Sequence, residues 1–171
     1  MRYMDTLSKL EAIRDYVIPP PAPAVKDWIS GEAVFNLYGA VFPKYRGRIF
    51  LSDEGYEITA ISELRRFINW STVNKYPYTE ETHDCDDSAL ALAGEFAKYP
   101  GWSGFPTAYI WGSLYGGHAF FTAIAWPSFT DRTPTTYYIE PQNDWEIAEE
   151  SVEGMELWLL PMNKAGVKRN I

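Results

Sequence analysis

Cysteine is nearly absent from this chain: Cys85 is the only one in 171 residues. A single thiol excludes an internal disulfide framework, so nothing here requires an oxidising compartment. Long apolar runs are missing too, and no stretch approaches the ~20 apolar residues of a membrane span. The opening residues, Met1-Arg2-Tyr3-Met4-Asp5-Thr6-Leu7-Ser8, hold no continuous apolar run, so no signal peptide is expected. Positive charge is in deficit. A net charge of −8 argues against nucleic acid as the main partner. No internal repeat is visible, which excludes a solenoid or an array.

Aromatic residues are abundant instead: seven Trp, twelve Tyr and nine Phe, enough to fill a core or line a groove. The length suits one domain with an added arm. Leu7, Leu10, Ile13 and Val17 recur on one face and predict a helix over residues 5–18, which Pro19-Pro20-Pro21-Ala22-Pro23 stops. The proline run reads as a stiff extended spacer, placing residues 1–23 outside a main domain at 24–171. Residues 24–55 mix aromatics with glycines and read as short strands and loops. Strands are expected at 48–51 and 56–59, flanking the turn composition Ser52-Asp53-Glu54-Gly55. A helix over 61–68 follows, then a loop to residue 83. The run His118-Ala-Phe-Phe-Thr-Ala-Ile-Ala-Trp126 is apolar on both faces and predicts a central strand covered on both sides. Further strands are expected at 107–111, 135–140 and 155–162. The tail from 163 carries Lys164, Lys168 and Arg169 and reads as frayed.

His83-Asp84-Cys85-Asp86-Asp87-Ser88 stands at the centre of the chain. Cys85, Ala89, Leu92, Ala93 and Phe96 share one face at helical spacing, so the thiol opens a helix on its inward side. Free N–H groups at a helix start favour a thiolate. Pairing 118–126 with 135–140 as a hairpin centred near residue 129 sets His118 opposite Glu140. Opposed Cβ atoms lie ~4.5–5.5 Å apart, so the two side chains are expected as neighbours on the face that meets the cysteine helix. Cys85, His118 and Glu140 then have the order of nucleophile, base and orienting acid. Gln142 or Asn143 is the expected support for that acid. Each member also has a plain structural reading: a small buried hydrophobe, a hydrogen-bonded strand residue and a strand end.

Asp-Cys-Asp-Asp-Ser-Ala, Gly-Gly-His-Ala and Tyr-Ile-Glu-Pro-Gln, within residues 76–146, resemble the papain-like cysteine peptidase superfamily. The nearest resemblance is to the C-terminal protease domain of Marasmius-type fungal agglutinins and its phage and bacterial relatives. The resemblance implies an α+β, papain-like fold, with the cysteine helix packed on an antiparallel β-sheet. It also implies Cys85, His118 and Glu140 as catalytic residues acting on a peptide or amide bond, and a calcium-dependent site of acidic residues. No glutamine precedes Cys85 where papain-type enzymes place an oxyanion donor, leaving Asn74, Tyr78 or a backbone N–H for that task. The lectin repeats of those agglutinins are absent. NlpC/P60- and CHAP-type amidases, transglutaminase-like transferases and a non-catalytic phage-type module share the motif order and stand as alternatives. A cytoplasmic or virion-associated protein is expected.

Three aspartates around one thiol oppose its ionisation. A carboxylate ~6 Å away costs roughly 2–3 kcal/mol at an effective dielectric of ~20, whereas a helix terminus returns only ~0.3–2 kcal/mol. A protonated His118 can offset the difference. So can a calcium ion held by Asp86, Asp87 and Glu146. Alternatively, the aspartates only cap the helix and face solvent.

Overall fold

The computed structural model describes residues 18–80 and 83–162. The helix expected at 5–18, except for Ile18, and the tail from 163 lie outside the described residues. Its organising element is a six-stranded sheet. In chain order the strands are β1 (Asp27–Ser30), β2 (Ile49–Phe50), β3 (Gly55–Ile58), β4 (Thr107–Gly112), β5 (His118–Ala125), β6 (Thr135–Glu140), β7 (Trp145–Ile147) and β8 (Leu157–Pro161). The large sheet runs β2-β8-β4-β5-β6-β7, and β1 pairs with β3 in a separate two-stranded sheet. Among the described residues four α-helices accompany them: α1 (Gly31–Val41), α2 (Ile61–Trp70), α3 (Cys85–Lys98) and α4 (Glu149–Glu153).

β5 lies inside the sheet, and all of its residues from Ala119 to Ala125 are buried. Its even positions, Phe120 and Ile124, share a core with Val34 and Tyr38 of α1. The Tyr38 hydroxyl meets Thr122 Oγ1 at 3.0 Å on that face. Its odd positions, Phe121, Ala123 and Ala125, share a second core with Leu92, Ala93 and Phe96 of α3. Phe96 stacks on Phe121 with ring centroids 5.3 Å apart. Burial of one such ring contributes about 1.5–3 kcal/mol, so these contacts hold α3 against the sheet.

The expected papain-like α+β arrangement on an antiparallel sheet is corrected in three respects. The sheet is mixed, because β2 runs parallel to β8. The strands at 49–50 and 55–58 do not pair with one another; β3 joins β1, and β2 joins β8. Residues 31–41, read as loops and short strands, form α1. The physical reason is capping and packing together. The Ser30 hydroxyl accepts the Ala33 N–H at 3.1 Å, and Val34 and Tyr38 point into the core four residues apart. Those contacts outweigh the low helix propensity of Gly31 and Gly39. The last strand is also shorter than expected, preceded by α4, and β7 adds an edge strand after β6.

The proline run lies on the body. The Trp102 indole N–H donates to the Pro20 carbonyl at 2.8 Å, and Arg66 donates to the Pro21 carbonyl at 2.8 Å.

Candidate ligand-binding site

The head of α3, the start of β5 and the end of β6 converge at one end of the sheet. His118 Nε2 and Glu140 Oε2 are hydrogen-bonded at 2.6 Å, with both side chains largely shielded. The register is two residues from the expected one: Phe121 pairs with Ile139 and Thr122 with Tyr138. A shift of two preserves parity, so His118 and Glu140 still share a face. That face is not the one expected. His118 and Glu140 share the parity of Phe120 and Tyr138, which belong to the core on the α1 side, whereas α3 packs on the other side. Cys85 therefore approaches the pair around the end of the sheet. Its thiol lies within reach of the Ala119 backbone, one residue from His118.

Burial pushes the Cys85 thiol above its ordinary value; the Ala119 backbone hydrogen bond opposes this, and Asp84 and Asp86 add to it. Asp84 and Asp86 face each other beside the thiol. The hydrogen bond to Asp84 raises the Asp86 carboxyl, and the same bond lowers the Asp84 carboxyl. Donor atoms of Asp84, Cys85 and Asp86 lie within 4.8 Å of one another. Of the residues expected to hold calcium, Glu146 of β7 is paired with Arg65, and Asp87 is exposed.

The other expected residues find different tasks. Gln142 supports Glu140 through its backbone, donating N–H to Glu140 Oε1 at 3.3 Å. Asn143 turns away; its side-chain oxygen accepts the Trp145 N–H at 2.9 Å. Asn74 Nδ2 donates to Asp144 Oδ2 at 2.5 Å, so its amide donor is already engaged and fixes the turn after Glu140. Tyr78 is exposed.

Several polar atoms of residues near these elements are unsatisfied. Asn74 Oδ1, Asp84 Oδ1, Gln142 Nε2 and His83 Nε2 are shielded from solvent without a hydrogen-bond partner among the described residues. Two are acceptors, one is a donor, and the histidine nitrogen takes either role.

On the opposite flank stands an aromatic wall that the motifs did not point to. Between Trp111 and Gly112 of β4 the partner on β8 jumps from Leu159 to Leu157, leaving Trp158 as the inserted residue of a β-bulge. Bulges re-aim a side chain. Here the indole lies over Gly117, where a Cβ would meet it at 3.3 Å, and packs on Trp111 with centroids 5.7 Å apart. Tyr115 completes the wall. It has φ 53°, its ring lies 6.0 Å from His118 and it is 82% exposed. Tyr115 beside His118, and two partly open tryptophans beside Gly117, are the signal that motif reading passes over.

No family model and no curated protein matches the chain. Solved structures do. One, described as the PSL1a–E64 complex, shares 23% identity at a TM-score of 0.62, over 78% of this chain and 50% of that one. Another is Polyporus squamosus lectin bound to the human-type influenza-binding epitope Neu5Acα2-6Galβ1-4GlcNAc, at 23% identity and TM-score 0.61, over 78% and 49%. The chain thus spans about half the length of these neighbours, and at this identity the likeness is one of fold. The expectations of a papain-like peptidase fold and of a cysteine hydrolase are corrected accordingly. The fold recurs in structures of a lectin, and no family model or curated protein supports a peptidase, amidase or transglutaminase. Burial, and after it Asp84 and Asp86, raise the thiol above its ordinary value. No helix among the described residues is long and apolar enough to cross a membrane.

Proposed function

We propose that the chain is a ligand-binding domain and that its ligand is a glycan seated between the polar atoms around His118–Glu140 and the wall of Trp158, Trp111 and Tyr115. The carrying observation is the set of shielded acceptors and donors without partners, Asn74 Oδ1, Asp84 Oδ1, Gln142 Nε2 and His83 Nε2. Such atoms are costly unless something satisfies them, by about 1–3 kcal/mol each. A set that needs donors and acceptors at once suits hydroxyl groups, which supply both. The apolar face of a sugar ring suits an exposed indole on the other flank. A neighbour's complex with a sialylated trisaccharide supports the same ligand class. Asp84, Asp87 and Glu140 make the surroundings acidic, so a neutral sugar is favoured over a sialylated one by simple repulsion.

Calorimetric titration with Galβ1-4GlcNAc and with its α2-6-sialylated form tests this. Binding of the neutral sugar, tighter than that of the sialylated one and at least tenfold weaker in Trp158→Ala, is expected. A wild-type chain that binds no member of a broad glycan panel sinks the reading. E64, the ligand of the other neighbour, belongs in the same assay; occupancy lost in Cys85→Ala marks a second ligand for this cleft. We move the calcium proposal from Asp86, Asp87 and Glu146 to Asp84 and Asp86, whose oxygens suit a hard cation and of which Asp84 Oδ1 has no partner among the described residues.

A further inference from the structure

A second surface of the molecule is built to hold a proline-rich segment, and it lies away from the cleft. Prolines donate no N–H and cannot join a sheet ladder, so a proline run is recognised through its carbonyls and its ring faces. Both are used here. The Trp102 indole N–H donates to the Pro20 carbonyl at 2.8 Å, and the Arg66 guanidinium donates to the next carbonyl, that of Pro21, at 2.8 Å. Thr59 Oγ1 takes the Val25 carbonyl at 2.6 Å. Pro23 is buried, and Trp102 is only 2% exposed beneath the segment. Gly101 lets the backbone approach; a Cβ there would stand 2.8 Å from the Ala22 methyl.

The receptor side is fixed independently of what lies on it. Arg66 stands 5.5 Å over the Trp102 ring and is anchored by Glu63 at 2.6 Å. Trp102 packs on Phe67 at 4.8 Å and on Phe105 at 5.9 Å. An aromatic floor with an indole N–H and a cation aimed at successive carbonyls is the arrangement by which separate domains read proline-rich peptides.

We propose that the Arg66–Gly101–Trp102 surface is a receptor for a proline-rich segment, occupied in cis by Pro20–Val25, and that release of this strap opens it to a proline-rich segment of a partner protein. The strap acts as a tethered competitor, so its high effective concentration keeps the surface closed in the intact chain.

The test uses the full-length chain and a labelled peptide of sequence Ile-Pro-Pro-Pro-Ala-Pro-Ala-Val. Pro23→Glu places a charge in the buried seat and releases the strap without touching the receptor. Fluorescence anisotropy is expected to show the peptide binding this variant at least tenfold more tightly than the wild type. Adding Trp102→Phe, which keeps a ring but removes the N–H, should weaken that binding at least fivefold. Equal peptide binding by wild type and Pro23→Glu overturns the proposal, as does binding indifferent to Trp102→Phe. If Pro23→Glu does not melt cooperatively, replacing Pro20, Pro21 and Pro23 by glycine loosens the strap more gently, and the same two comparisons decide.

Discussion

Cys85 shows how one environment sets the state of a group. Burial dominates and pushes the thiol up; the Ala119 backbone pulls it down, and Asp84 and Asp86 add to the rise. The folded chain therefore carries less thiolate than the unfolded chain at any pH below or near the ordinary thiol value of ~8.5. Alkylation of Cys85 by iodoacetamide, followed by mass spectrometry, is expected to be slow at pH 7 and to rise only above that value. Replacing both Asp84 and Asp86 by Asn should move the whole profile to lower pH. A folded-state midpoint below that of the unfolded chain contradicts this. The residues of the cleft were unequally legible in the sequence. Cys85, His118 and Glu140 stood out by chemistry and parity, and the His118–Glu140 bond follows from a spacing that survives a register shift of two. Which face they occupy depends on the side α3 packs against, and periodicity within one strand carries no information about that. The opposed shifts of Asp84 and Asp86 were hidden for a similar reason, since they depend on the two carboxyls meeting.

The elements that matter most are those whose packing partners are distant in the chain. The helix at 85–98 and the strand at 118–125 were plain, because good helix formers and an unbroken apolar run act locally. α1 was not, since two glycines and four bulky residues mask a helix held by Ser30 and by the sheet beneath it. Nor was the bulge on β8; its extra residue exists only relative to β4. The head of α3 supports a prediction at this scale. Asp84 precedes the helix, and Asp86 together with backbone N–H groups of the first turn lowers its carboxyl. Calcium at Asp84 and Asp86 would neutralise their charge and fix the first turn. Added calcium is then expected to raise the melting temperature, because a ligand bound only to the folded state stabilises it. Magnesium should do less, since it keeps its waters and demands stricter geometry. The calcium effect should vanish in Asp84→Asn and fade as pH falls and the carboxylates protonate. Identical melting curves in chelator and in excess calcium would remove calcium from this pair.

For the whole molecule, three buried tyrosines couple the core to alkaline pH. Burial pushes Tyr138 up to about 12 and raises Tyr56 as well. Tyr38, against Thr122 at the centre of the sheet, is raised further by burial. In the unfolded chain each titrates near ~10. Between the two values only the unfolded state loses its proton, so rising pH favours unfolding. The stability these hydroxyls contribute is complete below pH ~10 and falls as pH climbs to the folded value of Tyr138. For Tyr138 alone, a shift of about two units corresponds to roughly 2–3 kcal/mol at the upper end. The net charge of −8 adds general repulsion over the same range as lysines deprotonate, so the fall in the wild type has two sources. Tyr138→Phe separates them, because it keeps the ring in the core and removes the titrating hydroxyl. Denaturant midpoints taken from pH 9 to pH 12 should fall less steeply in Tyr138→Phe than in the wild type, with the two curves converging toward pH 12 if the variant begins lower. Curves that stay parallel across the range would assign the alkaline loss to surface repulsion and remove Tyr138 from it.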